Sequence, residues 1–243
     1  MKNLNRLTQF IVIATALILF AGIVSAQKGN SKQNKKDIKE AGKTSTEAAN
    51  VFNEIMKAPD NAIPSDLLDK AEAVAIFPGV VNAAFIFGGR GGIGLISRRT
   101  ANGWSAPAFF KIGGGSFGLQ IGGQKIDYVM LIMNDGGLKG LMEDKFELGG
   151  EASVAAGPVG RSAGATTNTT LDAGILSYSR TKGLFAGVSL KGSVITPDND
   201  RNQAVYGQNA NKILGENSKD VIAPKYVSIV PQTLGRYSSR KRN

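Results

Sequence analysis

From Asp37 the apolar residues fall into step with a helix. Ile38, Ala41, Ala48, Val51, Phe52, Ile55 and Met56 recur at intervals of three and four, and the pattern stops near Ala58-Pro59. After Asn61, Ile63-Pro64-Ser65-Asp66-Leu67-Leu68 begins a shorter helix, and Pro64 suits its first turn, where a missing N–H costs nothing. From Ala73 short apolar runs alternate with glycine pairs: Ala73 to Phe77, Val80 to Phe87, Ile93 to Ser97, Ala106 to Ile112, Phe117 to Ile121 and Tyr128 to Met133. Leu138, Leu141 and Met142 place one helix over Asp135 to Asp144; strands resume over Glu151 to Ala156, Leu171 to Ser179 and Leu184 to Ile195. A last helix, Asn202 to Leu214, has its weak point at Gly207. The sum predicts an α+β fold: a curved antiparallel sheet or barrel-like core, with N-terminal helices and a C-terminal helix.

The chain ends differ in character. Lys2 and Arg6 precede an apolar run from Phe10 to Phe20, and Val24-Ser25-Ala26 offers small residues where a signal peptidase cuts. Residues 1–26 are therefore expected to be a signal peptide, and the mature protein to be exported to the periplasm or secreted. The apolar run is short for a membrane span, and no Cys follows it for lipid attachment. Residues 27–36 read as a polar linker, 37–214 as one domain, and 215–243 as a basic C-terminal tail.

Composition removes much chemistry. The 243 residues include no His and no Cys, so zinc fingers, thiol nucleophiles and Ser-His-Asp triads are excluded. The formal net charge of +10 favours anionic partners, and an exported protein meets phospholipid before it meets nucleic acid. No cofactor is implied. Of the 31 glycines, 25 lie between Gly79 and Gly192, so turns and bulges are dense there.

Few motifs carry chemistry. Gly89-Arg90-Gly91-Gly92-Ile93-Gly94 fits G-x-G-x-x-G, but a strand and the Asn102-Gly103 turn follow it, where a dinucleotide site needs a helix. Asp127, Asp135, Glu143, Asp144, Glu147 and Glu151 are scattered, with no second catalytic element beside them. Asp198-Asn199-Asp200 lacks the Gly and Glu of a calcium loop and reads as a helix-capping turn. Trp104, the single Trp, fits a core lid better than a membrane anchor because apolar residues follow it. The remaining candidates are basic residues near glycine-flanked strand ends, where a cation and backbone N–H groups can jointly meet phosphate: Arg90, Arg98, Arg99, Lys111, Lys125, Arg161, Arg180, Lys182 and Lys191.

Eight ordered blocks resemble the SYLF lipid-binding domain family, an actin-regulating domain family in eukaryotes. They are Ile63-Pro64-x-x-Leu67-Leu68, Ala73-Val74-Ala75-Ile76-Phe77-Pro78, Gly88 to Gly94, Trp104-Ser105-Ala106-Pro107, Gly118 to Gly122, Ala156 to Arg161, Tyr178 to Gly187 and Tyr206-Gly207. The resemblance implies a non-enzymatic module that binds anionic lipid. Cytosolic actin is an unexpected partner for an exported chain. Two other readings stay open: a structural or interaction protein of the cell envelope, whose Gly-rich strands assemble with a partner, and a hydrolase working with carboxylates alone.

Overall fold

The computed structural model describes residues 33–58, 62–84, 88–116, 122–150, 153–160, 173–181 and 183–238. Helix α1 spans 33–56 and α2 Ser65–Lys70, with Pro64 at its N-cap. Residues 33–36, expected in the linker, form the first turn of α1. Then come β1 Ala73–Ala84, β2 Gly88–Thr100, β3 Gly103–Trp104, β4 Ala108–Ser116 and β5 Gly122–Ile132. Helix α3 is Asp135–Leu141, capped by the Asn134 side chain, which accepts from the Gly137 N–H. Strands β6 Phe146–Glu147, β7 Val154–Ala156, β8 Ile175–Thr181, β9 Leu184–Gly187 and β10 Val194–Pro197 complete the sheet. Helices α4 Asn199–Tyr206, α5 Ala210–Leu214 and α6 Ile229–Tyr237 close the described chain, with a 3₁₀ turn at Ser218–Asp220.

The fold is α+β, as expected, and the sheet curls into a half-barrel. Its order is β6-β10-β4-β2-β1-β5-β8-β7, with β3 on β2 and β9 on β8. One pair departs from the antiparallel expectation: β7 lies parallel to β8. A parallel pair needs a crossover, and the residues between Ala156 and Ile175 supply its length.

Pro78-Gly79 separates two apolar runs in sequence, yet β1 runs straight through it as a bulge. The pairing with β5 shifts between Phe77 and Val80, and Gly79 sits at φ +58° with its N–H donated to Asp127 Oδ1 at 2.7 Å. That carboxylate satisfies the donor which the bulge removes from the ladder. The G-x-G-x-x-G run lies wholly within β2, and no helix follows it. At Gly94 a Cβ would stand 2.3 Å from the Ile76 carbonyl oxygen, so that glycine serves close strand packing.

Each sheet face carries its own core. Val74, Ile76, Leu95, Phe109, Val129 and Tyr178 face α1, α2 and α6, meeting Phe52, Ile55, Leu68, Val230 and Leu234. Ala75, Phe77, Phe110, Met130 and Ile132 face the other way, toward Leu138, Leu141, Phe146, Ile195 and Ile213. The last helix of the sequence reading is divided. Gly207 takes the left-handed conformation at φ +65° and ends α4, and Asn209 then caps α5 through its side chain. Residues 215–238 are not a tail. Val227, Val230 and Leu234 are fully buried, and the Tyr237 ring meets Phe52 edge-on with centroids 5.8 Å apart.

Candidate functional site

Strands β1, β2, β4 and β5 run on past α1, which crosses one face of the sheet. Cross-strand register sets Gly113, Gly91, Val81 and Lys125 in one row of that face. The next row is Gly115, Gly89, Ala83 and Gly123. All are exposed except half-buried Gly113; Val81 is 46% exposed, and Leu184 at the neighbouring β8–β9 hairpin is 74% exposed. A hollow of about 440 Å³ separates this surface from α1, lined by Lys43, Glu47, Glu54, Lys125, Asp127 and Arg180.

The nine candidate cations do not form one cluster. Arg99 is interior, 1% exposed. Its Nε donates to the Ala71 carbonyl at 2.8 Å, and its Nη2 to the Leu68 carbonyl at 2.7 Å and Ser238 Oγ at 3.0 Å. Its guanidinium lies 4.2 Å from the Trp104 ring centre. Arg99 is therefore a core-tying residue: it lies at the end of β2 as expected, but its side chain turns inward, which corrects its expected role in meeting phosphate. Half-buried Trp104 packs against the first core, as expected of a lid, with a guanidinium as its ring partner.

Arg98, Lys111 and Arg180 are each engaged by acids. Arg98 donates to the Leu214 carbonyl at 3.0 Å and pairs with Asp135 at 3.6 Å. Lys111 Nζ lies 2.9 Å from Asp198 Oδ1. Arg180 bridges Asp127 at 2.9 Å and Glu54 of α1, with Phe185 beneath its guanidinium. Burial holds the Asp127 carboxyl above the ordinary carboxylate range; the Gly79 N–H bond opposes this and Glu47 adds to it. Arg161 and Lys182 lie outside the described residues.

Arg90, Lys125 and Lys191 are different. Among the described residues none of the three has a carboxylate partner. Arg90 lies on the opposite face from Lys125, across from Asn82, and reaches over Gly114 to Ser193 Oγ at 3.1 Å. Lys191 occupies the turn that leads through Ser193 into β10 beside Gly113. All three thus stand at the glycine-rich end of the sheet.

Arg201 escaped the sequence reading. It is 6% exposed, pairs with Asp198 at 2.9 Å and Glu40 of α1 at 3.7 Å, and lies over the Phe109 ring. Asp198, read as a cap, makes no capping bond and binds Lys111 and Arg201. Its neighbour Arg201, three residues on within α4, was the available signal. Among the described residues no group of three acids could hold a metal, and no helix is long and apolar enough to cross a membrane.

Comparison with known proteins gives a consistent result. The family described as "Ysc84: Las17-binding protein actin regulator" matches residues 113–237. "LAS seventeen-binding protein 3" of Saccharomyces cerevisiae is 39% identical over 154 residues, 62% of this chain and 33% of that protein. "Protein YSC84" of the same yeast is 38% identical over the same 154-residue length. "SH3 domain-containing YSC84-like protein 1" of Homo sapiens is 33% identical over 176 residues, 71% of this chain and 51% of that protein. The chain thus spans about a third of the yeast relatives and about half of the human one.

Proposed function

Because this chain belongs to the Ysc84, or SYLF, family, we propose that it is a non-catalytic module whose glycine-rich sheet end binds anionic phospholipid headgroups. One observation carries the reading. Of the three candidate cations without a carboxylate partner among the described residues, Lys125 stands on the face that is nearly bare of side chains, Arg90 on the opposite face and Lys191 in the turn before β10, so that all three lie at one end of the sheet. Exposed Val81 and Ala83 share the face of Lys125, with Leu184 at the neighbouring hairpin, and suit the apolar fringe of a headgroup layer. Each Lys or Arg near such a surface contributes about 1 kcal/mol of attraction.

What the relatives' names say of Las17 and actin belongs to those proteins. We read residues 1–26 as a removed signal peptide, which puts the mature chain at an envelope membrane and away from cytosolic actin. Mass spectrometry of the native protein tests export: an N-terminus at Gln27 supports it, and retention of Met1 to Ala26 refutes it. Co-sedimentation with vesicles tests the lipid reading. Binding is expected to vesicles containing phosphatidylglycerol and to be lost on neutral phosphatidylcholine; equal binding to both contradicts a headgroup-charge mechanism.

A further inference from the structure

We propose that the cleft at the far end of the sheet, between the β2–β3 hairpin, α3 and the 3₁₀ turn at Ser218–Asp220, binds a small soluble ligand through an oxyanion group, a phosphate or a carboxylate. The site is separate from the lipid surface and does not depend on it. Gly88 and Thr100, the two ends of β2, lie about 40 Å apart along the strand at about 3.3 Å per residue.

The cleft has a volume of about 550 Å³, within the span of about 300–1,000 Å³ usual for small-molecule sites. Leu138 and Met142 of α3 give it an apolar wall, and Arg98, Lys139 and Lys219 give it charge. Asp135 and exposed Glu216 line it too, but with Arg99 the cations outnumber the acids four to two. A cavity of about 90 Å³ adjoins it, sharing Thr100, Ser218 and Lys219 and having Trp104 in its lining. At about 30 Å³ per water, that is room for roughly three waters or one oxyanion group.

Two donors there call for an acceptor. The Trp104 Nε1–H is buried and meets none among the described residues. Buried donors in folded proteins are nearly always bonded, so one left open beside a polar cavity points to an acceptor from outside the chain. Arg98 is the second. Its side chain is 13% exposed, and its Nη1 donates to the Leu214 carbonyl at 3.0 Å. Asp135 stands off at 3.6 Å, an ion pair without a hydrogen bond. A guanidinium has further N–H groups, disposed in a fork that meets an oxyanion through two parallel bonds. Lys139 on α3 and Lys219 on the 3₁₀ turn are exposed and, among the described residues, in no ion pair. They add the field that draws an anion in. The unmet groups on these walls are donors and cations, so the ligand that completes them is an anionic acceptor.

Trp104 is the single tryptophan, so its fluorescence reports on the small cavity without background. The protein is titrated with inorganic phosphate, butyl phosphate and butyrate, against sodium chloride at matched ionic strength. A saturable change in Trp104 emission is expected, with butyl phosphate binding more tightly than inorganic phosphate because its chain meets Leu138 and Met142. Arg98→Gln should weaken the tightest probe by about tenfold or more, the loss of a forked, charge-assisted contact. Lys219→Ala, a change at an exposed side chain, should weaken it several-fold and leave the melting temperature unchanged, which separates loss of the site from loss of the fold. Both variants should bind phosphatidylglycerol vesicles as the wild type does. An emission change no greater than chloride gives, or equal probe affinity in the wild type and both variants, overturns the proposal. Loss of vesicle binding together with probe binding would make the oxyanion a lipid headgroup and overturn the soluble ligand.

Discussion

Arg180 and Arg201 hold α1 from opposite ends in the same chemical setting. Each guanidinium pairs with an aspartate outside α1 (Asp127 or Asp198), reaches a glutamate of the helix (Glu54 or Glu40), and lies over a phenylalanine ring (Phe185 or Phe109). Between these clamps α1 buries Ala41, Ala48, Val51, Phe52 and Ile55 against the sheet. The helix is fixed in position at both ends as well as buried along its length.

The clamps differ in burial, so their loss should differ in cost. The Arg201 and Asp198 side chains are 8% and 5% exposed, those of Arg180 and Asp127 23% and 16%. Arg201→Ala leaves Asp198 with Lys111 alone and should destabilise by about 3 kcal/mol, the lower end for breaking a buried pair. Arg180→Ala should cost about 1 kcal/mol, since its pair with Asp127 is less buried and solvent screens it more. Urea denaturation of the two variants checks the order; a larger loss for Arg180→Ala contradicts it.

Asp127 should leave a pH signature. Its carboxyl is raised above the ordinary value of 3.8, chiefly by burial. The folded state therefore holds the proton more tightly than the unfolded state. Stability from this group rises as pH falls through the raised value toward 3.8 and is lost as pH rises again. Thermal melts of wild type and Asp127→Asn across that window should converge on acidification. If the wild type instead loses ground to the variant at low pH, the Arg180 pair outweighs burial.

Two glycines three residues apart on β2 should respond oppositely to the same change. A Cβ at Gly94 meets the Ile76 carbonyl oxygen and the Phe77 ring, while at Gly91 it meets nothing within 4 Å. Gly94→Ala should cost about 1–3 kcal/mol, as overpacking does, and Gly91→Ala should be neutral or slightly stabilising. Chemical denaturation of the pair reads the difference.

Trp104→Ala should destabilise by about 2–3 kcal/mol, below the range for fully buried aromatics because the residue is only partly buried. It also uncovers the Arg99 guanidinium. A variant with unchanged stability but weakened vesicle binding would make Trp104 an interface residue.

Helical spacing before Pro59 and dense short strands after Ala73 suffice for the α+β class. The finer architecture depends on partners distant in sequence. Pro78-Gly79 breaks the apolar run in sequence, and only Asp127, 48 residues on from Gly79, supplies the carboxylate that holds the two halves in a single bulged strand. Helix α6 was hidden by Pro231, Gly235 and the basic residues after it, although Val227, Val230, Leu234 and Tyr237 keep a helical interval. Candidate cations were legible by residue type, but their availability was not. Arg99 reads like Arg90 in sequence, and only the fold turns one inward onto carbonyls and leaves the other at the sheet end.

On the proposed function, the glycine-rich end of the sheet carries the attraction to anionic lipid. Its most direct test is vesicle co-sedimentation of the Arg90→Ala, Lys125→Ala, Lys191→Ala triple variant beside wild type, at low and raised salt. At about 1 kcal/mol per cation, affinity for phosphatidylglycerol vesicles should fall by about 3 kcal/mol, roughly a hundredfold or more. Raised salt should weaken the wild type more than the variant, because the Debye length falls from about 10 Å at 0.1 M to about 3 Å at 1 M. An unchanged affinity and an unchanged salt response in a folded triple variant would contradict the account.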